Sequence, residues 1–230
     1  MRPTTFQLLK QSWYFFTHNI IGIALIVVPV AAAMQFVLQM VGIPIIREDN
    51  QQIQTDQLAI FYGVQLLLMP LMQGALICFI HANVRSQHIA VLTCFSIAFS
   101  RWPRLLLTYM LYFCAVVVGL FMFILPGMLF FVRLAFAEFK VTLEGQQPLD
   151  ALKQSWHATE FVSIQIFAGL VFVTCFVGLF SIYAQQAIVA TAMPVLLTTF
   201  VSIIATLLQS VGTIYLYRLC TLGPEGSSQN

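Results

Sequence analysis

Long apolar stretches alternate with short polar segments along this chain. Five of the stretches can each cross about 30 Å of hydrocarbon as a helix of about 20 residues or more. They lie at about 20–46, 58–82, 105–125, 161–184 and 195–220. A sixth, shorter stretch runs from Met128 to Leu143, directly after the Leu-Pro-Gly corner at 125–127. The pattern predicts an all-α, polytopic membrane protein with about six transmembrane helices, the third and fourth forming a tight hairpin.

Three segments before the spans are too polar to cross a membrane but are patterned like helices. They are 3–16, 86–104 and 148–159, and each holds a tryptophan: Trp13, Trp102 and Trp156. In the last segment Leu149, Leu152 and Trp156 recur at i, i+3 and i+7, and Pro148 suits a first helical turn. We therefore predict three cytoplasmic interfacial amphipathic helices.

The pentapeptide LKQSW occurs twice, at 9–13 and 152–156, each time before a long apolar run. We interpret SRW at 100–102 as a degenerate middle copy. The chain then divides into three helix-plus-hairpin units at about 3–82, 86–143 and 148–220, within one transmembrane domain at 1–222 and before a flexible cytoplasmic tail at 223–230. The alternative is a fortuitous match, because tryptophan and lysine are common at the inner interface.

Composition and charge argue against a nucleic-acid partner. Hydrophobic residues make up 60% of the chain and charged residues 8%, and the net charge is only +2, so no nucleic-acid partner is predicted. The basic residues other than Arg133 indicate the topology. If the N-terminus is cytoplasmic, Arg47 is the one of these nine residues that lies on the periplasmic side. The others fall inside: Arg2, Lys10, Arg85, Arg101, Arg104, Lys140, Lys153 and Arg218. We expect both termini in the cytoplasm.

Chemistry-bearing motifs are missing from the chain. The five cysteines are far apart in sequence and form no CxxC, so they are interpreted as small hydrophobic residues, and no metal or cofactor is predicted. The sequence contains no GxSxG, HExxH, P-loop or GxGxxG pattern. We expect a protein that is not an enzyme.

Ionisable residues inside apolar runs are candidates for function. Arg133 lies six residues beyond Gly127, about 9 Å along a helix, and Glu138 lies about 140° around the helix from it, so the two do not pair. Arg133 either reaches the outer surface, bonds helix-end carbonyls, or binds an anionic group. Seven residues form the candidate functional or structural motif: Pro126, Gly127, Arg133, Glu138, Glu144, Ser155 and Trp156.

Polar residues also follow the last span at helical spacing. They are Thr199, Ser202, Thr206, Gln209 and Thr213. Such a stripe is typical of helix packing in membranes, and its alternative is a substrate path.

The stretch from the Leu-Pro-Gly corner through Arg133, Glu144-Gly145 and ALKQSW resembles the YciC-like family of bacterial inner-membrane proteins. IYLYRL at 214–219 is similar to that family's ending. A looser resemblance links the chain to the membrane domain of some glycerophosphodiester phosphodiesterases. The resemblance implies a multi-span protein of the inner membrane of Gram-negative bacteria, and it supplies no catalytic residues.

The leading hypothesis is a role in envelope or lipid upkeep through contacts with membrane lipids or with other inner-membrane proteins. Its rival is a small-molecule permease that uses Arg133 and the polar stripe of the last span. A third hypothesis is an intramembrane enzyme acting on lipid head groups.

The predicted topology can be tested by thiol labelling in a version of the chain without its native cysteines. We expect Asp49→Cys and Ala190→Cys to react with an impermeant reagent added from the periplasm, and Gln87→Cys and Gln147→Cys to stay unlabelled. Labelling of Gln87→Cys from the periplasm would contradict six spans with cytoplasmic termini.

Overall fold

The computed structural model describes residues 4–41, 55–87, 89–188 and 194–222, and all regular structure in these ranges is α-helical. The all-α prediction is confirmed, whereas the predicted external loops and tail fall largely outside the described residues. The helices are α1 (Thr5–His18), α2 (Ile20–Val41), α3 (Thr55–Val84), α4 (Val91–Ser100), α5 (Trp102–Met122), α6 (Ile124–Arg133), α7 (Ala137–Glu144), α8 (Pro148–Ala158), α9 (Ser163–Ile188) and α10 (Pro194–Leu222).

Five helices in the described ranges are long and apolar enough to cross a membrane. They are Ile20–Met40, Tyr62–Val84, Trp102–Met122, Ser163–Ile188 and Leu196–Leu222. These helices coincide with the five long stretches in the sequence, so the chain is a multi-pass membrane protein.

The sixth predicted span is not one continuous helix. The run from Met128 to Leu143 is divided between α6 and α7, with a turn at 134–136 between them. The prediction of a single helix over this run was wrong, because its backbone is bonded at the turn by side chains from α8. The six-span count stays a prediction.

The corner between α5 and α6 also differs from the predicted one. Phe123, with φ −167° and ψ 158°, is the one residue between the two helices. Pro126 lies in the first turn of α6, where its missing N–H leaves no helical bond unmade. The hairpin is as tight as predicted, but the chain turns before the Leu-Pro-Gly string.

Local signals set several of the other helix ends. Thr4 and Gln7 form a capping box at the start of α1. Pro148 occupies the first turn of α8, as predicted. Gly145 ends α7 with φ +68°, a left-handed conformation that glycine adopts without steric cost.

Helices α6 and α7 together run back along the whole of α5. Gly127 packs against Gly119 near the α5–α6 corner, the Tyr112 hydroxyl lies 3.4 Å from the Phe131 carbonyl oxygen, and Arg104 reaches past the end of α7. Helices α6 and α7 together therefore extend along the same length as α5.

Helices α4 and α8 each pack against the hairpin that precedes them in the chain, whereas α1 packs against the last hairpin. Helix α4 contacts α3, α8 contacts α7, and α1 contacts α10, the last helix of all. The helices form a closed ring. It is completed by the contacts of α2 with α10, of α3 with α5 and α7, and of α6 with α9. Inside it, Tyr217 contacts His81 and Phe139.

The buried positions of the short helices correct the predicted middle copy of LKQSW. Buried positions four residues apart occur in each: Leu8, Ser12 and Phe16 in α1, Cys94 and Ala98 in α4, and Ala151, Ser155 and Thr159 at α8. In all three cases the next long helix begins four residues after the last position of this series. This register aligns LKQSW with VLTCF at 91–95, whereas Trp102 is already the first residue of α5. The division into three units stays a prediction.

The contact between α5 and α6 gives a stability test. A Cβ atom on Gly127 would lie 2.8 Å from the backbone nitrogen of Leu120, which cannot move aside, whereas a Cβ on Gly178 of α9 would meet open space. We expect Gly127→Ala to lower the free energy of unfolding by about 1–3 kcal/mol. Gly178→Ala should leave it unchanged or raise it by up to about 1 kcal/mol, because alanine favours helix. Thermal unfolding of both purified variants in detergent measures this, and equal midpoints would contradict the close contact.

Candidate functional site

The seven candidate residues lie in three places. Pro126 and Gly127 belong to the α5–α6 corner, and Glu138 and Glu144 to α7. Arg133, Ser155 and Trp156, from α6 and α8, come together at the turn that separates α6 from α7. Only this last group is a cluster of side chains from different elements, so it is the candidate site.

Ser155 holds the turn between α6 and α7. Its hydroxyl donates to the Arg133 carbonyl oxygen at 2.8 Å and accepts from the Phe136 N–H at 3.1 Å. Ser155 is fully buried, so neither backbone group has water as an alternative partner. One hydroxyl therefore satisfies two backbone groups that a continuous helix would have paired internally.

Thr159, which the sequence analysis did not single out, supports the same turn. Its Oγ1 lies 3.0 Å from the Arg133 carbonyl oxygen and 2.8 Å from the Ser155 carbonyl oxygen. The signal was available, because Ser155 and Thr159 are four residues apart and so share one helix face. This spacing indicates a buried face of α8, but it does not identify the turn at 134–136 as the surface that packs against that face.

The Arg133 guanidinium folds onto the last turn of α8. Nη1 donates to the Trp156 carbonyl oxygen at 3.2 Å, and the guanidinium carbon lies 5.4 Å from the centroid of the Trp156 ring. The Phe130 ring lies 5.5 Å away on the same indole. A cation at a helix C-terminus and over an indole face is favourable in both respects. Of the predicted alternatives for Arg133, this geometry matches the bond to a helix-end carbonyl.

One nitrogen of Arg133 remains without a protein partner. Its Nε is buried and makes no hydrogen bond to the described residues. A guanidinium has five N–H donors, and this cluster uses few of them. The contacts of the cluster thus hold the turn and place a positive charge beside it.

Two arginines close the C-terminal end of α7. The Nη1 atom of Arg104 donates to the Gly145 carbonyl oxygen at 2.7 Å, and Arg101 donates to the Thr142 carbonyl oxygen. In the sequence both arginines indicated only the topology, although cations commonly bind the last carbonyls of a helix. The predicted helix end at Glu144 is confirmed, and its exposed carboxylate accepts from the Gln146 amide.

Glu138 lies on a different face of the α6–α7 segment from Arg133. It is half-buried and close to Tyr109 and Tyr112 of α5. The expectation that Arg133 and Glu138 do not pair agrees with these separate surroundings.

The glutamines of the two LKQSW copies make equivalent bonds. Gln11 accepts from Arg218 Nη1 at 3.2 Å, and Gln154 accepts from Lys140 Nζ at 3.2 Å. Arg218 belongs to α10 and Lys140 to α7, so in both cases a basic residue near the end of a hairpin bonds the short helix that packs against that hairpin. The repeated pentapeptide thus has a repeated packing role.

The polar stripe of α10 contributes to helix packing. Thr213 donates to Gln73 of α3 at 3.1 Å, and Gln39 of α2 donates to Thr199 at 2.8 Å. Ser202 bonds the backbone of its own helix. These contacts match the packing interpretation of the stripe.

Two cysteines that are distant in sequence are neighbours in the fold. Cys78 of α3 and Cys94 of α4 are both buried, and their register follows that of Gly74 and Ala98, which also meet. The hydrogen bond to Cys78 and burial raise the pKa of the Cys94 thiol, so it stays neutral. No group of three metal-ligating side chains occurs among the residues that the structure describes.

The two serines of the repeated pentapeptide give a matched test of the turn. Ser155→Ala leaves the Phe136 N–H without its partner, and we expect a loss of about 1–3 kcal/mol in the free energy of unfolding. Ser12 is equally buried but donates only to the Leu8 carbonyl oxygen of its own helix, at 2.8 Å. Ser12→Ala should therefore cost less than Ser155→Ala in thermal unfolding. Equal losses would show that the turn does not depend on Ser155.

The Arg133, Ser155 and Trp156 cluster lies within the part of the chain that a family model matches. The model, described as an uncharacterised protein family, matches residues 41–222, from the last residue of α2 to the end of α10. No curated protein and no solved structure matches the chain. Since the match covers nine of the ten helices at least in part, the chain belongs to the uncharacterised protein family UPF0259.

Proposed function

We propose that this chain is a non-enzymatic integral protein of the bacterial inner membrane that serves envelope or lipid upkeep by contacting membrane lipids. The observation that carries the proposal is the two-sided surface of α1. One side packs into the bundle and the other carries large exposed aromatic rings. The location in an inner membrane rests on the resemblance to the YciC-like family.

The outward side of α1 suits the border between a bilayer and water. Phe6, Trp13 and Tyr14 are 76%, 46% and 71% exposed, and Lys10 lies among them. Aromatic rings with a nearby lysine are stable where hydrocarbon meets the head groups, because the rings enter the apolar layer and the ammonium reaches water. Gln7 and His18 are also exposed, next to Tyr14, whose ring stacks on that of His18, and on the opposite side of Tyr14 from Trp13.

The other two short helices have similar exposed apolar residues. Leu92 and Phe99 of α4 are exposed, as are Leu149 of α8 and Phe161 directly after it. Three such helices in one bundle support an extended contact with lipid, because each adds apolar area beside the membrane spans.

The proposed orientation has both termini in the cytoplasm and an even number of crossings. It is supported by the way α6 and α7 retrace α5, which returns the chain to the side where α5 began. Arg101, Arg104, Lys140 and Lys153 then lie on that same side, and basic residues favour the cytoplasmic face.

The permease hypothesis has less support from the contacts. Thr199 and Thr213 of the polar stripe bond neighbouring helices, and Arg133 is turned onto α8. The His81 ring and the Tyr217 hydroxyl, 2.9 Å apart, lie together in the interior of the bundle. These side chains are engaged in packing, so the lipid-contact role is the one we propose.

A deletion strain tests the proposed function. We expect loss of the chain to change the lipid composition or permeability of the envelope, and wild-type protein to restore it. Trp13→Glu should fail at equal abundance, because a charge replaces an interfacial ring. Gln7→Glu is the matched control: it adds the same charge to the exposed surface of α1 without removing a ring, and it preserves the capping box. An unchanged envelope together with lost uptake of a solute would favour the permease instead.

A further inference from the structure

A groove opens between α1 and the two helices of the last hairpin. Its volume is about 320 Å³, and its walls are almost entirely carbon. The lining residues are Phe6, Leu9, Lys10 and Trp13 of α1, Phe172, Val173, Phe176 and Val177 of α9, and Leu208 and Val211 of α10. A groove with such walls excludes water and favours an apolar occupant.

On the α1 side the methylene stem of Lys10 is part of the carbon wall, and because Lys10 is exposed its ammonium lies at the edge of the groove. Lys10 is the single ionisable residue of the lining, and α1 contains no aspartate or glutamate. An occupant that matches the whole groove therefore has a long apolar part and an anionic end. Trp13 beside Lys10 is the residue type that favours the level of the lipid head groups.

We propose that this groove binds one acyl chain of an anionic phospholipid, whose phosphate contacts the Lys10 ammonium. This inference rests on the proposed function and names the class of lipid and its place. The acyl chain lies along Phe172 and Phe176 of α9 and beneath α1, and the head group stays at the membrane surface. Lys10 donates up to three hydrogen bonds to phosphate oxygens, which are strong charge-assisted acceptors.

The second LKQSW copy shows why the pentapeptide alone is not the recognition element. Lys153 lines a polar hollow together with Asp150, Gln146, Gln147 and Gln154. An acidic neighbour opposes the approach of an anionic head group, and this hollow offers amides where an acyl chain needs hydrocarbon. Lys153 is therefore the matched control for Lys10.

Trp13 reports directly on the groove, because bromine atoms on an acyl chain quench the fluorescence of an indole they touch. The full chain is reconstituted into phosphatidylcholine vesicles with increasing fractions of phosphatidylglycerol that carries brominated chains, or of equally brominated phosphatidylcholine. Subtraction of the signal of Trp13→Phe isolates Trp13 from Trp102 and Trp156.

We expect brominated phosphatidylglycerol to quench Trp13 at a lower mole fraction than brominated phosphatidylcholine. Lys10→Gln should weaken this preference about fivefold, the value of one basic residue facing an anionic lipid. Lys153→Gln should retain it. Phe176→Ala, which removes groove wall at an exposed position, should raise the half-quenching fraction of both lipids.

Three outcomes would overturn the inference. They are equal quenching by the two lipids in the wild-type chain, an equal loss in Lys10→Gln and Lys153→Gln, and an unchanged half-quenching fraction of both lipids in Phe176→Ala, which would show a head-group site without an acyl chain. Such results with a persisting deletion phenotype would remove the groove site and leave the proposed function standing. If the deletion strain has an unaltered envelope while the lipid preference is intact, the groove site stands and the proposed function falls.

Discussion

Backbone groups that a helix leaves free inside an apolar bundle cost free energy unless they find partners, and the turn between α6 and α7 depends on this constraint. Ser155 supplies both an acceptor and a donor there, and Thr159 lies within bonding distance of the same carbonyl. Because these hydroxyls belong to α8 and its cap, α6, α7 and α8 take their places together. The position of the Arg133 side chain beside Trp156 follows from the same docking.

Much of the fold was predictable because hydropathy dominates it. The five long spans appear in the sequence as apolar stretches, and Pro148 and Gly145 mark helix ends through their own backbone preferences. The break at 134–136 was not predictable in this way. No proline or glycine lies between Met128 and Leu143, and the groups that hold the turn come from a helix some 20 residues later in the chain. A window along the sequence cannot detect such a partner.

The candidate site was predictable in its residues and not in its contacts. Arg133 stood out because an ionised group is costly in an apolar run, and the repeated pentapeptide drew attention to Ser155 and Trp156. The contact of Arg133 with Ser155 and Trp156 arises only from the packing of α6 against α8 in the tertiary structure. The two LKQSW copies also differ in their contacts: Trp13 is 46% exposed and lies near Phe16 of its own helix, whereas Trp156 lies against Arg133 and Phe130 of α6. Identical letters differ in role because their neighbours differ.

The closed ring has a consequence for biosynthesis. Gln11 of α1 and Arg218 of α10 bond each other across a separation of 207 residues. At about 5–20 residues per second, the ribosome reaches Arg218 roughly 10–40 s after it has made Gln11. During that interval Leu8 and Phe16, which the finished bundle buries, have no α10 to pack against. If α1 lies at the membrane surface as proposed, the leaflet offers these side chains apolar surroundings, and α1 would stay there as a nascent segment until the last helix inserts and closes the ring.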